Sequence, residues 1–174
     1  TQGSDTLINI GDGQTIILQK VNPSELEANH FVGFLDEEVT LNGTESSDNL
    51  YADGRDSIIN AGSGDDYISG GKGNNTLSGG QGSDIFFIST NPNKTDSITD
   101  FALGNLEGFE TNERISLRNF KDIKNIDDLD ITQNGDDAVI NLPNNQKIIL
   151  ENINKDDLNN SKFLFIGQII GTYG

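Results

Sequence analysis

Positions 48, 57, 66, 75 and 84 hold Asp48, Ser57, Asp66, Asn75 and Asp84. Each stands two residues before an apolar side chain, in turn Leu50, Ile59, Ile68, Leu77 and Phe86. The stretch ahead of each is rich in glycine or other small residues. Carboxylates and carbonyls are hard oxygen donors, and roughly six to eight such oxygens at about 2.3–2.6 Å make a calcium site. A glycine loop offers carbonyls that no ladder has claimed, and the aspartate at its end supplies charge. The formal net charge of −17 agrees with cation binding and equally with a very soluble surface. It opposes nucleic acid, whose phosphates it would repel.

The elements that position these groups follow from the same period. Leu41, Leu50, Ile59, Ile68, Leu77 and Phe86 are each nine residues apart. A helix would not keep that register with so many glycines inside it, and a flexible linker has no reason to keep it. The glycines permit sharp, positive-φ turns, so three-residue strands such as 67–69 each point one apolar side chain inward. Only 33% of the chain is hydrophobic, too little for an ordinary core, and a ligand is expected to help it fold. With no Cys and one His, His30, thiolate zinc sites are excluded and histidine catalysis has one candidate. No run reaches the ~18 apolar residues of a membrane helix. No basic stretch followed by an apolar core opens the chain, so no signal peptide is expected within it.

Three tandem nonapeptides carry the pattern most fully: Ala61-Gly-Ser-Gly-Asp-Asp-Tyr-Ile-Ser69, Gly70-Gly-Lys-Gly-Asn-Asn-Thr-Leu-Ser78 and Gly79-Gly-Gln-Gly-Ser-Asp-Ile-Phe-Phe87. Two degenerate copies, 43–51 and 52–60, precede them. This resembles the G-G-x-G-x-D-x-U-x repeat of RTX proteins. The resemblance implies an all-β fold, a parallel β-roll capped by antiparallel strands and hairpins, in which two nonapeptides make one coil of eighteen residues. Successive loops then lie on opposite sides, and loops on one side stack a coil apart.

On that scheme one side carries Asp48, Asp66 and Asp84, and the other carries the neutral Ser57 and Asn75. Two strong Ca²⁺ sites are expected, one between Asp48 and Asp66 and one between Asp66 and Asp84. The family pattern completes the first with carbonyls of Thr44, Ser46, Ala61 and Ser63. It completes the second with those of Gly62, Gly64, Gly79 and Gln81. A site on the side of Ser57 and Asn75 would be weaker. Asp53 and Asp56 there are either compensating ligands or solvated turn residues.

Beyond residue 87 the segments Asp96-Ser-Ile-Thr-Asp-Phe101 and Glu113-Arg-Ile-Ser-Leu117, joined through 104–111, alternate as strands do. They resemble the D-x-I-x-D-F…D-x-I-x-L cap of serralysin-type proteases and mannuronan epimerase modules, with Glu113 where that pattern has Asp. Asp96 and Asp100 are either ligands of a further calcium or turn carboxylates held by hydrogen bonds. Further strands are expected over 129–131, 137–142, 147–150 and 163–165, with a hairpin turn at 143–146. Residues 5–18 match residues 137–150 without a gap, and the offset of 132 (137 − 5) persists through Phe31/Phe163. This divides the chain into a hairpin at 1–34 that closes a preceding module or forms an N-terminal cap, a calcium-binding roll at 35–95 and a capping region at 96–174. Both hairpins sharing one domain is the alternative.

The function expected from the resemblance is a non-catalytic module that folds on calcium and supports secretion, folding and stability of a larger protein. That protein would be secreted or held at the cell surface through type I secretion. Its partners would be calcium, neighbouring modules, and extracellular polysaccharide or a cell surface in an accessory or adhesin role. A carboxylate-dependent glycan-active enzyme would draw on Asp65/Asp66 or Asp136/Asp137, but no nucleophile and base are set together. His30 reads as a solvent-facing residue.

Overall fold

The computed structural model describes residues 6–11, 14–19, 21–22, 24, 38–52, 54–104 and 112–167. The chain divides into two compact units, Thr1–Asp36 and Glu37–Gly174.

In the first unit β1 (Thr6–Gly11) and β2 (Gln14–Leu18) form an antiparallel hairpin, pairing Thr6 with Leu18 and Ile8 with Ile16. His30 lies outside the described residues, as do Asp53, the connection 105–111 and the tail beyond 167.

The second unit coils between two sheets. Strands β3 (Val39–Asn42), β5 (Ser57–Ser63), β7 (Asn75–Gln81) and β9 (Thr95–Ile98) stack in parallel in one. Strands β4 (Asn49–Tyr51), β6 (Tyr67–Ser69), β8 (Ile85–Phe87) and β10 (Arg114–Ser116) stack in parallel in the other. The chain visits them alternately, so each coil spends one nonapeptide on each sheet.

The nine-residue apolar series becomes two inward ladders: Leu41–Ile59–Leu77–Ile98, and Leu50–Ile68–Phe86–Ile115. From Ile59 and Ile68 onward every rung is fully buried. The ladders outlast the period, because Ile98 follows Leu77 by 21 residues and Ile115 follows Phe86 by 29. Register is set by the buried side chain, and a longer connection can loop out as long as the next apolar residue returns to the column.

The C-terminal end is closed by β11 (Asp130–Asn134), β12 (Asp137–Leu142) and β13 (Gln146–Leu150), an antiparallel trio whose β13 lies parallel to β9. Strand β14 (Phe163–Leu164) adds to β10 in the other sheet. The turn between β12 and β13 is a 3-10 turn, Pro143–Asn145, with Asn144 and Asn145 at positive φ. Both sheets thus continue past the roll into strands of the cap, and roll and cap share one core.

The strands of the first sheet are longer than the period alone predicts. β5 and β7 run seven residues, because Gly62 pairs with Gly80 and Ser63 with Gln81 inside the loops. The ladder therefore claims some of the loop backbone.

Candidate metal centre

The loops leading from the first sheet to the second, 43–48, 61–66 and 79–84, stack on one edge of the roll. Their aspartates form a chain. The backbone N–H of Asp48 donates to Asp66 Oδ1 at 2.7 Å, and that of Asp66 donates to Asp84 Oδ1 at 2.9 Å. Each carboxylate thus spends one oxygen tying its coil to the preceding one. The other oxygens, Asp66 Oδ2 and Asp84 Oδ2, are buried with no hydrogen-bond partner. Asp66 is 2% exposed and Asp84 0%. Such an arrangement costs energy unless something positive completes it.

Burial raises both acids above the ordinary carboxylate range, Asp84 to about 6, with further upward pushes on Asp84 from Asp66, Asp100 and Asp65. Asp48 ends the row differently. Its Oδ2 accepts from the N–H of Thr44 at 2.7 Å and from Thr44 Oγ1 at 2.8 Å.

The backbone expected to complete the sites lies between these loops. Carbonyl oxygens of Thr44, Gly62 and Gly64 face the bare Cα atoms of Gly62, Gly80 and Gly82 one coil on, and that of Ala61 faces Gly43 one coil back. A Cβ at any of these glycines would collide with the oxygen. The Thr44 carbonyl accepts from Ser63 N–H at 3.0 Å and the Gln81 carbonyl from Gly64 N–H at 2.8 Å, so these two are shared with the ladder. The Ser46 carbonyl receives only a long contact, 3.4 Å, from Thr44 Oγ1. Gly79 packs its Cα on Asp84 Oδ2. Among the described residues no three His, Cys, Asp or Glu side chains converge on a point. A cation here would have to draw on carboxylates and carbonyls together, a donor set of the kind calcium takes. The orphaned buried oxygens fit such an ion.

The carboxylate column continues into the cap. The N–H of Arg114 donates to the carbonyl of Asp84, which sets Glu113 level with Asp84. Glu113 is fully buried; its Oε2 accepts from the Ala102 N–H at 2.6 Å, and its Oε1 has no partner. Burial pushes it up to about 8, with Asp100 and Asp84 adding to the rise. The nine-residue period does not reach Glu113, which follows Asp84 by 29 residues (113 − 84). The only signal was its place in the D-x-I-x-L match.

The structure separates Asp96 from Asp100. Asp100 accepts from Ser78 Oγ and from the N–H groups of Gly79 and Gly80, at 2.6, 3.0 and 2.9 Å, and so anchors the start of the 79–84 loop. Asp96 lies on the opposite edge, level with Asn75. There Asn75 Nδ2 donates to Asp96 Oδ1 at 2.6 Å. Asp56 is half-exposed on the same edge. It accepts from Asn74 N–H at 2.7 Å and pairs with Lys94 at 3.7 Å, and the Asn74 bonds hold its carboxyl below the usual range. Asp65 Oδ1 makes the equivalent inter-coil bond on the aspartate edge, to Ser83 N–H at 2.8 Å. Asp137 Oδ1 accepts from Asn152 N–H.

Residues 51–86 match the family of RTX calcium-binding nonapeptide repeats in four copies. No curated protein sequence matches the chain. Among solved structures the fold is similar to the AlgE6R3 subunit of the Azotobacter vinelandii mannuronan C5-epimerase, with a TM-score of 0.54 and 18% identity over 79% of this chain and 83% of that one. It is also similar to the AlgE6R2 subunit of the same enzyme, at 0.50 and 14% over 78% and 97%. The extracellular lipase LipA of Serratia marcescens aligns at 0.44 and 18%, over 72% of this chain and 20% of the lipase. Residues 51–86 are therefore calcium-binding nonapeptide repeats, and the fold they belong to is a β-roll.

Proposed function

We propose that this run of RTX calcium-binding nonapeptide repeats makes the chain a non-catalytic module that orders on binding calcium and supports the export, folding and stability of a larger extracellular protein. The observation that carries the reading is the pair of buried, partnerless oxygens Asp66 Oδ2 and Asp84 Oδ2, one coil apart. One ion would sit between Asp48 and Asp66, with carbonyls drawn from Thr44, Ser46, Ala61 and Ser63. A second would sit between Asp66 and Asp84, with Gly62, Gly64, Gly79 and Gln81.

Without the ion, like charges face one another across stacked loops at low dielectric. With it, the repulsion becomes attraction, and the binding energy becomes folding energy. Low calcium before export would keep the repeats loose, and higher calcium outside would set them. The N-terminal hairpin, whose pairs Thr6–Leu18 and Ile8–Ile16 correspond to Ala138–Leu150 and Ile140–Ile148 of β12–β13, is read as the closing hairpin of a preceding module.

The test is far-UV circular dichroism during a calcium titration from a chelated start, with magnesium as the control ion. A cooperative gain of β-structure with calcium alone is expected. A spectrum indifferent to calcium would refute the reading.

A further inference from the structure

We infer that the roll is one-sided in its chemistry: calcium serves only the edge of Asp48, Asp66 and Asp84, and on the opposite edge the protein's own amide and hydroxyl donors stand where the ion would. This rests on the reading that the aspartate edge takes calcium.

The two edges have the same backbone plan. On both, the fourth residue of each nonapeptide presents its carbonyl to the loop stacked on it. Arg55 and Gly64 are such residues, and their carbonyls lie against the Cα atoms of Gly73 and Gly82. What differs is the sixth residue. An aspartate can only accept hydrogen bonds, so a loop of carbonyls closed by an aspartate is a ring of acceptors with no donor. Serine and asparagine carry a donor, and here they aim it two residues back. Ser57 Oγ donates to the Arg55 carbonyl at 2.9 Å. Asn75 Nδ2 donates to the Gly73 carbonyl at 3.2 Å and to Asp96 Oδ1 at 2.6 Å. Both neighbours of that atom are acceptors, which assigns it as the nitrogen.

A second amide reinforces the same point. Asn91, 8% exposed, donates Nδ2 to the Gly73 carbonyl at 3.0 Å. It is itself fixed by the bond from its N–H to Gln146 Oε1 at 2.8 Å, and Gln146 Nε2 donates to the Ser89 carbonyl at 2.7 Å. The Gly73 oxygen is thus served by two amide donors. Among the described residues of this edge, the buried side-chain oxygen without a partner is Asn75 Oδ1. One neutral amide oxygen and the Asp96 carboxylate, already bonded through Oδ1 to Asn75 Nδ2, fall far short of the roughly six to eight ligands calcium takes. The Asp56 carboxylate does not make up the difference, because it is turned to the Asn74 N–H and Lys94.

The experiment is a count of calcium ions per chain by native mass spectrometry and equilibrium dialysis on the whole protein, with circular dichroism as a folding check. Wild type, Asp66→Asn, Ser57→Ala and Asn75→Asp are compared. Asp66→Asn should lower the count, and Ser57→Ala should leave it unchanged. Asn75→Asp replaces the donor by an acceptor and restores the acceptor ring beside Asp96, so it should raise the count by one. A count lowered by Ser57→Ala, or not raised by Asn75→Asp, overturns the one-sided assignment. A wild type that binds no calcium instead overturns the underlying calcium reading, so the two failures are distinguishable.

Discussion

Gly80→Ala is the substitution whose cost the structure specifies most fully. Gly80 sits at φ +89°, and a methyl there would lie on the carbonyl oxygen of Gly62, far inside the 3.0 Å that real Cβ atoms respect. Neither atom can yield alone, since both belong to backbone paired between β5 and β7. Forcing alanine into a left-handed conformation costs about 1–2 kcal/mol. Parting the coils by on the order of 1 Å would also stretch the 2.8 Å bond from Gly64 N–H to the Gln81 carbonyl past the ~3.2 Å limit of a good hydrogen bond, a loss of roughly 1 kcal/mol. The expected destabilisation is therefore about 3 kcal/mol, a large share of a domain's ~5–15 kcal/mol. The same movement displaces the Gly62 carbonyl, a proposed ligand, by several times the ~0.3 Å width of the calcium–oxygen distance range, so calcium affinity should fall as well. Gly104→Ala is the control: nothing among the described residues lies within 4 Å of its Cβ position, and its φ is not in the left-handed region, so it should stay within about 0.5 kcal/mol of wild type. Urea unfolding in saturating calcium, with a calcium titration of each variant, measures both effects. Equal midpoints and equal affinities for the two variants would refute the stacking argument.

Asp66→Asn should remove most of the calcium-dependent stabilisation, about 2.7 kcal/mol when calcium stands at ~100 times its dissociation constant, whereas Asp56→Asn should change it little; calorimetric melts with calcium and with chelator compare them. The calcium-free protein should lose stability as pH rises from about 4 to 8. The folded-state values of Asp84 and Asp96 are raised to about 6 and that of Glu113 to about 8, so the folded chain binds more protons than the unfolded one through this window. Its melting temperature should therefore fall between about pH 5 and pH 8, and a flat or rising profile would count against these environments. Glu113→Gln keeps the shape and deletes the buried acid, so without calcium it should raise the melting temperature near pH 8, by up to a few kcal/mol in stability, and have little effect near pH 5.

The roll was legible in the sequence because one period fixes three things at once: the buried ladder, the turn and the ligand. Leu41 to Phe86 gave the rungs, and the positions two before them gave the aspartate column. The cap strands were legible by alternation, and the structure places them within three residues of the expected bounds. What the period hid lies where it stops. Glu113 joins the column through a connection of irregular length, and Asp96 and Asp100, near neighbours in sequence, go to opposite edges because a residue that looks adjacent along a strand and its turn can face different loops. Nor does residue type alone show that Asn75 turns its amide onto Gly73 and Asp96. That depends on a neighbour 21 residues away, beyond the last nonapeptide.

The glycines record something else, namely which loops have another loop stacked on their N-terminal side. Wherever a described coil precedes, the fourth residue is glycine, as at Gly64, Gly73 and Gly82, and each of these Cα atoms lies against backbone of the earlier coil. In the first coil the same position holds Ser46 and Arg55. Strands β3 and β4 of that coil are the last in their sheets, so among the described residues no earlier strand pairs beside them. Thr44 stands where the next loops of that edge have Gly62 and Gly80, and it turns its N–H and hydroxyl onto Asp48. The carboxylate at the open end of the column is thereby satisfied by its own loop, while Asp66 and Asp84 inside the column are not. The glycine pattern and the hydrogen-bond pattern thus mark the same boundary: the coil on which no described loop is stacked from before is also the coil whose aspartate takes two hydrogen bonds from its own loop.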